Sequence, residues 1–265
     1  MTSWISQFLC TSDSKFRFKK YGWRKELRDN RDKILCHENL TFDSSHDLRD
    51  KCPDVYNQGK LGSCTANAIA AAYEFDMMKQ GETPFVPSRL FIYYNEREME
   101  NTVDSDSGAE IRDGIKSINK VGIVNEVSWP YIISKFTEKP PVQLYKNALE
   151  HRAVKYQRVK QDINNLRKTI SSGFPIVFGF SVYESFETEE VAKTGVMTMP
   201  KPDEKLLGGH AVMAVGYDDT TEVFVIRNSW GNEWGDKGYF YMPYKFITNT
   251  DLASDFWVVE KVRDD

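Results

Sequence analysis

The chain has 265 residues, 40% hydrophobic and 13% aromatic, enough to bury a full core as one large domain or two lobes sharing a cleft. A net charge of -4 gives no general reason to expect nucleic acid as a partner, and no apolar run approaches the roughly 20 residues of a membrane span. The four cysteines (10, 36, 52 and 64) form no CxxC pair and have no histidine at zinc-finger spacing, so no metal or cofactor is expected.

A reducing compartment is the simpler setting for so few cysteines, although a bridge among Cys10, Cys36 and Cys52 stays open. The apolar run Trp4–Cys10 is short, has no basic flank before it and no clear cleavage site, so no signal peptide is expected. Residues 1–46 hold nine basic and six acidic groups, or +3, which leaves -7 on residues 47–265. A basic arm on an acidic body is held by long-range attraction that salt weakens. Phe16, Phe18, Tyr21 and Trp23 argue for an ordered arm that packs on the body or lies in a cleft, not a solvated tail.

Gly59 and Gly62 then form a turn, after which Ala66, Ile69, Ala70, Tyr73 and Met77 recur at helical spacing. This predicts a buried helix over Cys64–Gln80, with Ser63 as N-cap and Gly81 as its stop. Cys64 falls in the first turn, where unpaired N–H groups and the helix dipole favour a thiolate. A small buried core cysteine is an equal reading of this stretch alone. Pro87-Ser88 precedes a second helix, Arg89–Glu100, and a third is predicted over Ala109–Lys120 with Ile111, Ile115 and Ile118 inward and a stop at Gly122. Residues 132–150 read as a crossover linker, because Lys139-Pro140-Pro141 cannot continue a helix.

The second half turns to strands: Ala153–Val159, Pro175–Tyr183, Ala211–Tyr217, Glu222–Ile226, Gly238–Pro243 and Phe256–Val262, around a short helix at Ile163–Ile170. A helical half followed by an antiparallel β half is an α+β arrangement, with a helical lobe at about 47–131, a β lobe at about 150–265 and a cleft between them.

A catalytic thiol needs a base and a group that orients the base. Of the four histidines (37, 46, 151 and 210), His210 follows a glycine pair at the start of an apolar strand. Asn228 ends the next strand, 18 residues on, where a return loop would bring it beside His210 to accept from one ring nitrogen. A lone histidine at a strand start is usually structural, but three further features weigh against that here. Gln58 lies six residues before Cys64, and its amide with the Cys64 N–H could form an oxyanion hole. The 146 residues from Cys64 to His210 match the roughly 130 to 150 of papain-type enzymes. Trp230, in Asn228-Ser229-Trp230-Gly231, would shield the His–Asn bond from water.

These residues resemble a papain-like cysteine peptidase, from Asp47-Leu48-Arg49 almost to the C-terminus. The resemblance implies a two-lobed papain-like fold with a helical lobe around the Cys64 helix and an antiparallel, β-barrel-like second lobe. It implies Cys64 as nucleophile, His210 as acid and base, Asn228 as its orienter and Gln58 as oxyanion donor. It places Gly108, Gly209, Trp230 and Asp255 along the substrate, with Asp255 or, in a second alignment, Ser254 at the end of the second pocket. The acid would welcome Arg or Lys there; the serine would leave an apolar preference.

The second half is most similar to cathepsin B, but residues 132–150 contain no His or Cys, so the histidine-bearing loop that closes one end of that cleft looks absent and endopeptidase action is expected. Leu61 and Thr65 replace a disulfide cysteine and an aromatic, and the pattern looks more like bacterial and large-virus relatives. Residues 1–46 are then a compact propeptide or cleft-covering arm. The expected partners are polypeptide substrates and the chain's own N-terminal segment, with no nucleic acid and no membrane, in a monomer that is cytoplasmic or packaged in a virion, secretion staying open. The same residues would serve acyl transfer to an amine, whereas a non-catalytic peptide-binding module has no need for all four.

Overall fold

In the computed structural model, which describes residues 21–36, 41–153 and 155–261, the helix that begins at Cys64 sits at the centre. Cys10, Phe16, Phe18 and His37 lie outside the described residues. Helix α1 (Cys64–Lys79) is buried on every side from Cys64 to Met77, against α2 (Arg89–Met99), α3 (Ile111–Lys120) and the sheet. Its run of alanines allows this, since small side chains let neighbouring backbones approach all round. The helix ends as expected: Gly81 has φ 73°, and the N–H groups of Gly81 and Glu82 return to the carbonyls of Met78 and Met77. Ser63 occupies the N-cap position, but its side chain does not cap the helix; its hydroxyl meets Tyr131 at 2.5 Å instead. Ser88 does cap α2, accepting from the Phe91 N–H.

Helix α3 starts two residues later than its periodicity suggests. The Ala109 backbone is taken up in a bridge to Trp23 of the N-terminal arm and is not available to a helix. The 132–150 stretch is more than a linker: helix α4 (Val142–Ala148) starts directly after Pro141, which stands at its N-cap.

The β half comprises β1 (Ser45–Asp47), β2 (Lys155–Arg158), β3 (Ile176–Tyr183), β4 (Leu206–Asp218), β5 (Val223–Arg227), β6 (Tyr239–Pro243) and β7 (Ala253–Lys261). Helix α5 (Ile163–Ser171) follows β2, α6 (Glu189–Thr194) follows β3, and α7 (Tyr244–Ile247) follows β6. The strands form one antiparallel sheet in the order β2-β7-β3-β4-β5-β6, with β1 added on β4. Strand β4 begins five residues before its predicted start, so Gly208 and Gly209 lie within it, paired with Val182 and Ser181.

The expectation of a β-barrel-like second lobe is not met. The sheet stays open, because the end strands β2 and β6 do not pair with each other. Each end is covered by another segment instead. Along β2, Arg158 exchanges backbone bonds with Lys33 and Leu35 of the arm, and along β6, Tyr241 does so with Gly195 and Met197. With part of each edge satisfied in this way, closure has fewer hydrogen bonds left to gain.

Candidate active site

The turn that precedes α1 is stitched to the end of β5. Gln58, fully buried, takes the Ser229 hydroxyl on Oε1 at 2.6 Å and gives its Nε2 proton to the Leu61 carbonyl at 2.9 Å. Its backbone N–H donates to Ser229 O at 2.9 Å. This seam fixes the helix start against Asn228. The Asn228 Oδ1 lies 2.8 Å from His210 Nε2 and also accepts the Ser229 N–H at 2.8 Å. An amide oxygen only accepts, so Nε2 carries the proton in this bond, and Nδ1 is the ring nitrogen able to take one up. Trp230 stacks on the imidazole with centroids 4.9 Å apart and planes at 29°, while Phe180 meets it edge-on. Asn228, His210 and Trp230 are all buried.

Cys64 is fully buried, and burial pushes its thiol up to about 11. Backbone N–H groups of Ala211, Gly22 and Thr65 pull the other way, and Glu96 adds to the rise. The bond from Ala211 places the sulfur beside the backbone that directly follows His210. Desolvation thus opposes, and here outweighs, the pull toward thiolate expected from the helix terminus. Thr65 donates to the buried Glu96 at 2.6 Å, so the position that lacks an aromatic serves a polar contact within the helical lobe.

The arm itself threads the cleft. Gly22 O accepts from Ala109 N at 2.7 Å, Ala109 O accepts from Arg24 N at 3.1 Å, and Gly209 O accepts from Trp23 N at 2.9 Å. Gly108, at φ 69°, faces Gly22 so closely that a Cβ on it would lie 2.0 Å from the Gly22 oxygen. Tyr21 packs edge-on to His210 and tilted against Trp230, and its hydroxyl bonds Glu187. Trp23 is buried over Gly179 and Gly209, with its indole Nε1 3.2 Å from Asp255 Oδ2. Of the two pocket residues left open by the sequence, Asp255 thus faces the arm's side chain, while Ser254 stands opposite Gly179 in the β3–β7 register.

A second set of contacts beyond the cleft had no signal in the sequence. The Glu26 carboxylate, wholly buried, is bonded by Arg158, by Trp257 Nε1 at 2.9 Å and by Arg112 N at 3.0 Å. Asp32 pairs with Arg112 at 2.7 Å and with Arg158 at 3.1 Å. Burial pushes Glu26 up to about 7, helped by Asp255 and opposed by Arg158 and Arg112. In sequence, Glu26 is one charge among many of an arm with mixed signs; only the fold brings both arginines to it.

Among the described residues, Cys36, Cys52 and Cys64 are free thiols, no cluster of three His, Cys, Asp or Glu side chains is placed to hold a metal, and no helix is long and apolar enough to cross a membrane.

Comparison with known proteins gives a consistent picture. The family described as papain family cysteine protease matches residues 42–258. A peptidase C1-like protein of Acanthamoeba polyphaga mimivirus is 44% identical over 93% of this chain and 88% of its own length. The crystal structure of xylellain, a cysteine protease from Xylella fastidiosa, superposes with a TM-score of 0.88 at 44% identity, covering 93% of this chain and 97% of that one. A procathepsin B from Trypanosoma congolense shares the fold at a TM-score of 0.70 and 16% identity, over 84% of this chain and 80% of its own.

Proposed function

Because this chain belongs to the papain family of cysteine proteases, we propose that it cuts internal peptide bonds of polypeptides through an acyl-thioenzyme, with its own N-terminal segment holding the cleft shut. Cys64 attacks the carbonyl, His210 takes the thiol proton through Nδ1 and returns it to the leaving amine, and then activates water to release the acid. Asn228 fixes the imidazole tautomer through Nε2, and Trp230 keeps water from that bond. The Cys64 N–H and the Gln58 amide serve the oxyanion, for which the Gln58 side chain is held by Ser229. Gly108 and Gly209 line the extended substrate, and Asp255 ends its second pocket.

The observation that carries this reading is the buried His210–Asn228 pair under Trp230 with Cys64 bonded by the next backbone N–H, that of Ala211. The arm reading rests on the backbone bonds of Gly22, Trp23 and Arg24, which use up Ala109 and Gly209, the same walls an extended peptide would pair with. Endopeptidase action rests on 132–150, which carries no histidine to hold a substrate's C-terminus.

Purified Cys64→Ala protein tests the assignment on unfolded protein and fluorogenic peptides. Its turnover is expected to fall at least about a thousandfold, and an epoxide thiol probe should label Cys64 and no other residue. Retention of full activity by Cys64→Ala would exclude the mechanism.

A further inference from the structure

The arm leaves an imprint of the side chain that the second pocket is built to hold. Trp23 lies flat on β3 at Gly179, where a Cβ would stand only 1.9 Å from an indole carbon, and against Gly209, where a Cβ would stand 2.7 Å from another. Glycine within a strand often marks a close approach of this kind; here the space it leaves has the breadth of an indole. The one polar atom of that ring meets Asp255 Oδ2 at 3.2 Å. Asp255 is buried and holds a left-handed backbone, φ 62°, an uncommon conformation for a residue other than glycine. That placement sets its carboxylate against the edge of the indole.

A buried acid in a specificity pocket would ordinarily invite lysine or arginine. Arg158 argues against that here. Its NH1 stands 3.8 Å from Asp255 Oδ1, and its remaining ion-pair partners, Glu26 and Asp32, both belong to the arm. When the arm departs, those two acids leave with it and Arg158 keeps Asp255 as its counter-ion. Asp255 Oδ2 meanwhile loses two donors, the Trp23 indole and the Glu26 N–H at 3.0 Å. The open pocket then combines a flat slot over Gly179 and Gly209, an acceptor freed of the arm's two donors and a charge already neutralised. Such a site binds a neutral aromatic N–H donor and repels a cation.

We propose that this pocket selects tryptophan in the substrate, with Asp255 reading the indole N–H and Arg158 excluding lysine and arginine. The proposal rests on the protease reading above and names the substrate side chain that the same cleft prefers. Phenylalanine fills the slot but leaves the carboxylate without its hydrogen bond, a loss of about tenfold for a bond to a charged acceptor. Arginine reaches Asp255 only beside a second guanidinium.

The test uses the full-length chain with Trp23→Ala, which empties the pocket while the rest of the arm competes equally with every ligand. Peptidyl vinyl sulfones differing only in the second residue before the reactive group (Trp, Phe, Lys or Arg) are compared by their rate of Cys64 labelling. The expected order is Trp first, Phe about tenfold slower, and Lys and Arg slower still. Adding Arg158→Met should bring Arg and Lys to or above the rate of Trp. Labelling of the unaltered Arg158 form by Arg or Lys as fast as by Trp overturns the proposal and leaves the protease reading intact. Cys64 that iodoacetamide alkylates but no peptidyl probe labels overturns the protease reading itself.

Discussion

Between Tyr21 and Trp23 the arm is held by backbone pairing and aromatic contact, whereas between Glu26 and Asp32 it is held by buried charge. The first segment lies against Gly108, Ala109 and Gly209, the walls proposed for the substrate; the second meets Arg112, Arg158 and Trp257 and reaches the proposed pocket through the Glu26 N–H on Asp255. A ligand-like segment cannot by itself bind much more tightly than a ligand. Beyond the cleft segment the arm is tied down again, where two arginines, an indole N–H and a backbone N–H converge on two carboxylates. On the proposed reading, blocking the cleft and anchoring the arm are divided between neighbouring stretches of chain.

That division is most sharply tested at Glu26. Glu26→Ala leaves Arg158 and the Trp257 indole without their buried acceptor, at a cost to the closed state of about 3 kcal/mol, the lower end for a broken buried pair because Asp32 remains. Alkylation of Cys64 by iodoacetamide should accelerate about a hundredfold; an unchanged rate would show that the cleft segment suffices alone. Next comes Gly22→Ala, which attacks the other segment. Its new Cβ would stand 1.7 Å from the Gly62 carbonyl oxygen, a backbone atom that cannot yield, so the arm must lift. An overpacking penalty of about 2 kcal/mol predicts about thirtyfold faster alkylation, with Glu26 and Asp32 still docked by hydrogen exchange.

The smallest expected effect is on pH. Glu26 has its carboxyl pushed up to about 7 when docked, against 4.5 when free, so docking takes up a proton. A raised bound-state value stabilises docking fully below the free value and loses that contribution as pH rises through about 7. Opening should therefore grow between pH 6 and 8, by at most about tenfold. The 19F resonance of fluorotryptophan at position 23 reports docked and open populations, and Glu26→Gln should flatten its pH dependence. Greater opening at acid pH would reverse the assignment.

The His210–Asn228 pair and the Gln58 seam before Cys64 were legible in the sequence because each of these residues follows a local rule. A cysteine opens a small-residue helix, a histidine sits in an apolar strand, an asparagine ends the next one, and a glutamine stands just before the glycine turn. The α1 stop at Gly81 was legible for the same reason. What could not be read was set by distant chain. The start of α3 moved because Trp23 claimed the Ala109 backbone, and the thiol was raised because burial strips it of water. The open sheet was hidden too: strands can be found from alternation, but whether the outer two meet depends on what else covers them. Glu26 was invisible since burial of a charge follows only from where its partners fold.

The pairing of Lys33 and Leu35 with Arg158 has one further consequence. The border of the sheet is finished by the same length of chain that leads into the cleft. If the arm restrains the enzyme as proposed, a molecule that completes its fold in this way closes its cleft in the same event. On that reading folding and restraint are a single step, and opening the site means giving up part of the chain's own architecture.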